Sequence, residues 1–266
     1  MKKLSIIIAT AALVLSFMGC DKIEDPLKPI VVTNSGKTVL IKDFTGARCV
    51  NCPAAAEAAH ELQHRLGEDY VIIMGVHAGG MAQPAGQFPN FLTNEGTEWY
   101  NNHDSNPLFA VDHVALTEGN TLYVEQIDTP VADALTEPKM FEVSLTNEYN
   151  EANRQLSVAS EVKALEEAEG DFYVTVCLVE DSITGWQIVP SGVDREYVFR
   201  NVFRGTLNGA DGEAFGNGLM APNTTKTFNH TMTLDSLYNA GQCYSLTYVY
   251  DKTDGKILQT AFKKIK

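Results

Sequence analysis

Basic residues are scarce in this sequence. Its 266 residues include 20 Lys and Arg against 34 Asp and Glu, which gives a net charge of −14 at pH 7. A surface with this balance repels phosphate groups, so we expect neither nucleic acid nor anionic lipid as a partner. The acidic residues are scattered along the chain, a pattern typical of a solvated surface and not of a binding tail.

Long apolar runs are missing from most of the chain. After residue 20, no stretch approaches the roughly 18 residues needed to cross a membrane. The one apolar segment, residues 4–17, follows a pair of lysines and ends at Gly19-Cys20. This pattern predicts a lipoprotein signal peptide over residues 1–19, with Cys20 as the lipidated first residue of the mature chain. An ordinary secretory signal cleaved nearby is the alternative.

The residues after Cys20 are short, charged and include Pro26, which predicts a flexible tether over residues 20–36. The membrane is therefore an expected partner through the N-terminal lipid. We expect an outer-membrane lipoprotein of the cell envelope, facing either the periplasm or the cell surface.

Cysteines are few as well, with five in the chain. With Cys20 assigned to the lipid, one close pair is left, Cys49 and Cys52, together with the distant Cys177 and Cys243. A zinc site usually needs a second close pair or a nearby His pair, so we expect no metal and no cofactor. Cys177 and Cys243 lie in predicted strands and form either a disulfide or two buried thiols. We favour the thiols, because both cysteines sit inside strands and pairing needs Cα atoms within about 7 Å, which the sequence does not show.

The close pair stands in the string Cys49-Val50-Asn51-Cys52-Pro53, after the apolar run 39–41 and before the Ala-rich stretch 54–62. This order predicts a strand and then a helix that begins at the two cysteines. Free backbone N–H groups and the helix dipole at such a junction favour a thiolate at Cys49. The pair is either a redox-active dithiol or a permanent disulfide that closes a tight loop.

The pattern changes near Pro138. Before it, strand-like and helical runs alternate, which predicts an α/β domain over residues 37–137. After it, turn signals separate short strand patterns, which predicts an all-β immunoglobulin-like sandwich over residues 138–266. We therefore expect a two-domain α+β protein. The predicted strands of the second domain are 141–149, 155–162, 172–180, 186–189, 197–203, 227–233, 244–250 and 257–262.

Four sequence segments together resemble a known family. They are 43–55 (DFTGARCVNCPAA), 178–181 (LVED), 197–205 (YVFRNVFRG) and 250–259 (YDKTDGKILQ). They look like the family related to the 28-kDa outer-membrane protein. The resemblance covers nearly all of the mature chain and implies an outer-membrane lipoprotein with a thioredoxin-like domain followed by a β-rich domain. It implies little about activity, because the biochemical function of this family is largely unassigned.

The thioredoxin-like resemblance implies roles for particular residues. Cys49 would attack a disulfide and Cys52 would resolve the mixed disulfide. Asp43, six residues before Cys49, matches the buried acid of thioredoxins and would relay a proton for Cys52. Pro107 is the candidate cis-proline that positions the substrate. Arg48 stands where thioredoxins carry Trp, a departure that still favours a thiolate electrostatically.

Other side chains near this motif have simpler interpretations. The alternative for Asp43 is a plain hydrogen bond to a neighbouring strand. His77 and His113 are expected to end strands without a catalytic role. The long loop 78–90 follows the strand that ends at His77, and long loops are often functional. Its Met81 and Phe88, with Phe91 just beyond, either line a peptide-binding groove or pack against the helix predicted over 93–102.

Two function classes remain open at this point. The first is a cell-envelope thiol-disulfide oxidoreductase acting on a protein or peptide thiol or disulfide. The second is a non-catalytic binding or adhesion lipoprotein that uses both domains as a scaffold. The reactivity of Cys49 in the folded protein distinguishes them.

Overall fold

The computed structural model describes residues 35–266. The signal peptide 1–19, Cys20 and nearly all of the tether 20–36 fall outside the described residues and stay predictions. Within the described part of the chain, no helix is long and apolar enough to cross a membrane.

The chain first alternates strands and helices, as predicted. The elements are β1 (Val39–Thr45), α1 (Cys52–Leu66), β2 (Val71–His77), α2 (Asn94–Tyr100), β3 (Leu108–Val111) and α3 (Asp128–Thr136). β1 and β2 are almost entirely buried, as expected for parallel strands covered on both faces. α1 buries Ala55, Ala59 and Leu62 against this sheet, because these positions recur on one face of a helix.

Only strands follow α3. They are β4 (Phe141–Asn150), β5 (Gln155–Ala164), β6 (Ala168–Glu180), β7 (Ile183–Val189), β8 (Gly192–Phe199), β9 (Val202–Thr206), β10 (Glu213–Met220), β11 (Thr225–Thr233), β12 (Cys243–Asp251) and β13 (Lys256–Lys264). The protein is therefore mostly β with a few helices, which confirms the α+β class.

The central sheet has the strand order β13-β12-β6-β9-β2-β1-β3, and β10 pairs with the first part of β6. β1 and β2 are parallel, whereas β3 is antiparallel to β1. β2 joins β9 at one register position, Gly75 opposite Val202, and the Gly75 amide donates to the Asn201 carbonyl oxygen at 2.8 Å.

A second sheet, β11-β5-β4, packs on one face of the central sheet. Alternating apolar residues of β4 and β5, such as Phe141 and Leu156, meet Phe172 and Val176 of β6 in one buried cluster. This is a sandwich of two sheets, as expected from strands with one buried face. The hairpin β7-β8 forms a separate two-stranded sheet.

The boundary predicted between residues 137 and 138 coincides with the passage from α3 to β4. The central sheet nevertheless crosses it, because β9 and β2 are neighbours. One ion pair also joins the two segments: Lys256 contacts Glu137 at 2.6 Å, and Glu137 in turn contacts the buried Lys37 at 2.6 Å. Independent folding of the segments 37–137 and 138–266 stays a prediction.

Two strand predictions need correction. The pattern 197–203 predicts one strand, but the chain turns between β8 and β9 at Asn201, whose φ of 51° lies in the left-handed region that asparagine tolerates. The sequence does not predict β10, because glycines at positions 216 and 218 obscure its alternation of apolar and polar side chains and a bulge follows Ala214.

The two distant cysteines are free thiols. Cys177 lies in β6 and Cys243 in β12, and both are buried. The prediction of two buried thiols is therefore confirmed.

Candidate functional site

The close cysteine pair lies at the junction of β1 and α1, where the sequence places it. Cys49 and Cys52 form a disulfide with Cα atoms 5.4 Å apart. Cys52 is the first residue of α1 and Pro53 follows in the first turn, where a missing N–H costs nothing. The turn before Cys49 needs glycine at position 46, because a Cβ there would approach the Met81 carbonyl carbon to 2.5 Å.

Both cysteines are covered by protein, with 4% of Cys49 and 2% of Cys52 exposed. The cover is the hairpin β7-β8. Its Gln187 donates from Nε2 to the Cys49 carbonyl oxygen at 2.9 Å, and the Ile188 amide donates to the Ala47 carbonyl oxygen at 2.9 Å. Because the hairpin lies 138 residues from Cys49 along the chain, no local pattern predicts this contact.

Asp43 lies on the face of β1 that α1 covers. It is 4% exposed, and its Oδ1 has no hydrogen-bond partner within residues 35–266. Burial raises the pKa of Asp43 to about 7, because the charged form loses its hydration. Asp43 and Cys52 line one cavity of about 260 Å³, which we call the Cys52 cavity. The structure thus brings the predicted acid to the same space as the predicted resolving cysteine.

His77, predicted only to end β2, lines the Cys52 cavity as well. It is 3% exposed, and neither ring nitrogen has a partner among the described residues. Burial lowers the pKa of His77 to about 3, and the positive charge of Arg204 adds to the effect. Phe91 and Phe199 hold the ring edge to face, with centroids 4.8 and 5.6 Å away.

The rest of the Cys52 cavity is part apolar and part charged. The remaining lining residues are Thr45, Pro53, Ala56, Glu57, His60, Ile73, Gly75, Gln187, Tyr197, Val198, Phe199 and Arg200. Burial raises the pKa of Tyr197, and the neighbouring carboxylates of Asp43 and Glu57 raise it further. The cavity is therefore a mixed polar and apolar space beside the disulfide, walled by α1, the sheet and β8.

Pro107 precedes β3, and the Asn106–Pro107 peptide bond is cis, as the resemblance implies. The Asn106 side chain donates to the Phe44 carbonyl oxygen at 3.0 Å, which ties this turn to β1. Pro107 is not among the residues that line the Cys52 cavity. Its role toward a substrate stays a prediction.

The groove predicted from Met81, Phe88 and Phe91 is not an open surface. Phe91 is buried in a cluster with Phe199, and Phe88 packs edge to face on Trp186 of β7 with ring centroids 6.0 Å apart. Met81 alone is well exposed, at 48%. The groove interpretation is therefore wrong for Phe91, because the hairpin β7-β8 occupies the space above the loop.

Arg48 is fixed by the same loop. Its amide donates to the Met81 carbonyl oxygen at 3.1 Å, and its guanidinium Nη2 donates to the Gly80 carbonyl oxygen at 2.6 Å. These bonds anchor Arg48, the residue before Cys49, to the loop.

A buried lysine on the opposite face of β1 was not predicted. The Lys42 Nζ lies 3.6 Å from the Trp99 ring centroid and donates to the Val114 carbonyl oxygen at 2.7 Å. Burial lowers the pKa of Lys42 to about 7. A lysine in an otherwise apolar strand was the available signal. Among residues 35–266, no group of three or more His, Cys, Asp or Glu side chains is placed to hold a metal ion.

The chain belongs to the family of outer membrane protein Omp28, whose model matches residues 102–266. This confirms the family expected from the sequence and the location of the protein as an outer-membrane lipoprotein. The matched region begins after Asp43, Cys49 and Cys52, so family membership does not bear on the disulfide. No curated protein matches the sequence.

Two solved structures from Porphyromonas gingivalis are similar to this chain. HBP35 is 15% identical with a TM-score of 0.66, over 86% of this chain and 76% of that protein. A domain of the outer membrane lipoprotein Omp28 is 22% identical with a TM-score of 0.36, over 48% of this chain and 96% of that domain. At this identity, the likeness to HBP35 shows a shared fold and nothing about activity.

Proposed function

We propose that this lipoprotein is a thiol-disulfide oxidoreductase of the cell envelope, with a thioredoxin-like domain over residues 37–137. The observation that carries the proposal is the position of Asp43, a buried carboxyl group that shares the Cys52 cavity with the resolving cysteine. A buried acid without a structural partner is costly to the fold, and such groups concentrate at functional sites.

The order of the elements supports the thioredoxin-like assignment. β1, α1 and β2 form a parallel strand-helix-strand unit with the disulfide at the start of its helix. β3 follows a cis-proline and runs antiparallel to β1. The immunoglobulin-like assignment of the second segment rests on its two packed sheets, and we propose it as the scaffold that presents this unit.

The chemistry follows from the two cysteines and the acid. In the reduced protein, the Cys49 thiolate attacks a substrate disulfide, and one substrate thiolate leaves. Cys52 then gives its proton to the Asp43 carboxylate and attacks Cys49. The Cys49–Cys52 disulfide forms, and the second substrate thiolate leaves with the electron pair of the broken bond. The helix N-terminus and Arg48 favour the first thiolate.

Substrate access requires movement of the hairpin β7-β8. The Ala47 carbonyl oxygen now accepts a backbone hydrogen bond from Ile188, as it would from an added peptide strand. We therefore propose extended protein or peptide segments as substrates, which replace the hairpin when they bind.

The burial of both cysteines favours a second candidate function. A disulfide that Gln187 and Ile188 cover is protected from reductants, as a structural disulfide would be. The protein would then be a binding or adhesion lipoprotein, with a partner site elsewhere on the scaffold.

Trapping of mixed disulfides separates the two functions. The reduced full-length Cys52→Ala variant is incubated with a disulfide-bonded peptide, and adducts are measured by mass spectrometry. We expect adducts at Cys49, whereas the matched Cys49→Ala variant should give none at Cys52. A wild-type disulfide that dithiothreitol cannot open under native conditions would support the scaffold instead.

A further inference from the structure

Two buried polar side chains line the Cys52 cavity and have atoms that lack protein partners in the described chain. They are Asp43, through Oδ1, and His77, through both ring nitrogens. Buried polar atoms are seldom left unsatisfied, and in a roomy polar cavity ordered water supplies the missing hydrogen bonds. A volume of about 260 Å³ is many times the space that one water needs. The cavity therefore has room for a chain of waters between these groups.

The sheet register places the two side chains on the same face of neighbouring strands. Asp43 is opposite Gly75, and Thr45 is opposite His77. With strands about 4.8 Å apart and about 3.3 Å per residue, the Cα atoms of Asp43 and His77 are about 8 Å apart. Gly75 has no side chain, so the space between them stays open. A gap of this size has room for one or two bridging waters.

We propose that His77 is a second proton-relay residue, which connects Asp43 through water to the mouth of the Cys52 cavity. The proposal rests on the oxidoreductase function proposed above. A neutral imidazole accepts a proton at one nitrogen and donates from the other, so it passes a proton on without a lasting charge. The rings of Phe91 and Phe199 hold the imidazole in place for this exchange.

The relay acts on the resolving step. The proton of the Cys52 thiol moves to the Asp43 carboxylate, and the Cys52 sulfur attacks the Cys49 sulfur of the mixed disulfide. If the proton stays on Asp43, it returns to the Cys52 thiolate before the attack takes place. His77 takes this proton through water and releases another toward the mouth, so the thiolate persists until it attacks. The substrate half of the mixed disulfide is reduced and the cysteine pair is oxidised, so no further oxidant is needed.

Charged and titratable groups surround the two relay residues on every side. They are Cys52, Glu57 and His60 of α1, Tyr197 of β8, Arg200 in the turn after β8, and Arg204 of β9 with its ion-pair partner Glu180 of β6. Because burial lowers the pKa of His77, its ring is neutral at neutral pH. Because burial raises the pKa of Asp43 to about 7, its carboxyl group changes protonation in the range in which the relay works.

The test separates the two thiol reactions in one experiment. The reduced full-length protein is mixed with a chromogenic nitrobenzoate disulfide, and the release of coloured thiolate is followed by stopped flow from pH 5 to 9. The first release reports the attack by Cys49 and the second reports resolution by Cys52. The Cys52→Ala variant should show the first release alone, which excludes reaction at Cys177 or Cys243.

The variants are His77→Leu and His77→Gln. Glutamine keeps a donor and an acceptor but does not relay protons, so it supports the fold without supporting the relay. We expect both variants to slow the second release by about tenfold or more near pH 8 and to leave the first release unchanged. In the wild type, the second release should speed up as the pH rises through about 7, and both variants should shift this rise to higher pH.

Each outcome has a distinct meaning. Slow second release in both variants supports the relay. If both variants release the second thiolate at the wild-type rate, or if His77→Gln alone does so, the relay is overturned. His77 then has a structural role, and the oxidoreductase function stays intact. Absence of the second release in the wild type overturns the proposed function itself, and the relay with it.

Discussion

Gln187→Ala is expected to open the cover over the disulfide. The Gln187 amide donates to the Cys49 and Ile188 carbonyl oxygens, each at 2.9 Å. The bond to Ile188 lies within the hairpin and persists when it opens, so only the bond to Cys49 favours the closed state. At about 1 kcal/mol for this hydrogen bond, and with 1.4 kcal/mol corresponding to a factor of ten, its loss makes the open hairpin about fivefold more populated. Reduction that depends on local opening should accelerate by the same factor.

The assay is the rate at which dithiothreitol reduces Cys49–Cys52 under native conditions, read by alkylation and mass spectrometry. Gln187→Glu keeps the shape of the side chain but directs carboxylate oxygens at two carbonyl oxygens, so it should accelerate reduction further. Val193→Ala, an exposed position on the same hairpin, is the control and should change the rate less than twofold. Equal rates in all four proteins would show that reductants reach the disulfide without hairpin opening.

Two further predictions concern stability. Asp43→Asn should stabilise the protein at pH 8 but not at pH 4, as measured by urea unfolding with the disulfide intact. The pKa of Asp43 is about 7 in the folded protein and about 3.9 in the unfolded chain. The stability of the wild type therefore falls as the pH rises between these values, by up to about 4 kcal/mol. An equal difference at both pH values would contradict this. Phe91→Ala should cost about 3–5 kcal/mol, because it leaves a cavity beside His77, whereas Met81→Ala on the exposed part of the loop should cost little. Comparable losses would contradict the different burial of the two side chains.

Local chemistry accounts for the parts of the site that the sequence predicts. The strand before Cys49, the helix that begins at Cys52 and the turn at Pro107 each depend on residues a few positions apart, so their patterns are visible in the sequence. The same holds for the α+β class, because the change from alternating elements to strands alone is a property of consecutive segments.

Contacts between distant segments account for what the sequence does not show. An alternating pattern identifies a strand but not its neighbour in the sheet, so nothing in the patterns places β9 beside β2. The cover of Gln187 over Cys49 and the packing of Phe91 on Phe199 arise in the same way. The sequence identifies His77 only as the end of a strand, because the cavity that it lines is enclosed by separate elements.

The single pairing of β2 with β9 has a mechanical consequence. Gly75 is the residue at which β2 and β9 pair, and it is also part of the wall of the Cys52 cavity. A Cβ at this position would approach the Arg200 carbonyl oxygen to 3.3 Å, so β2 lies close to the chain before β9 and pairs with β9 at a single position. A change in the pairing of β2 with β9 would therefore alter the width of the space beside Asp43 and, with it, the surroundings of the disulfide.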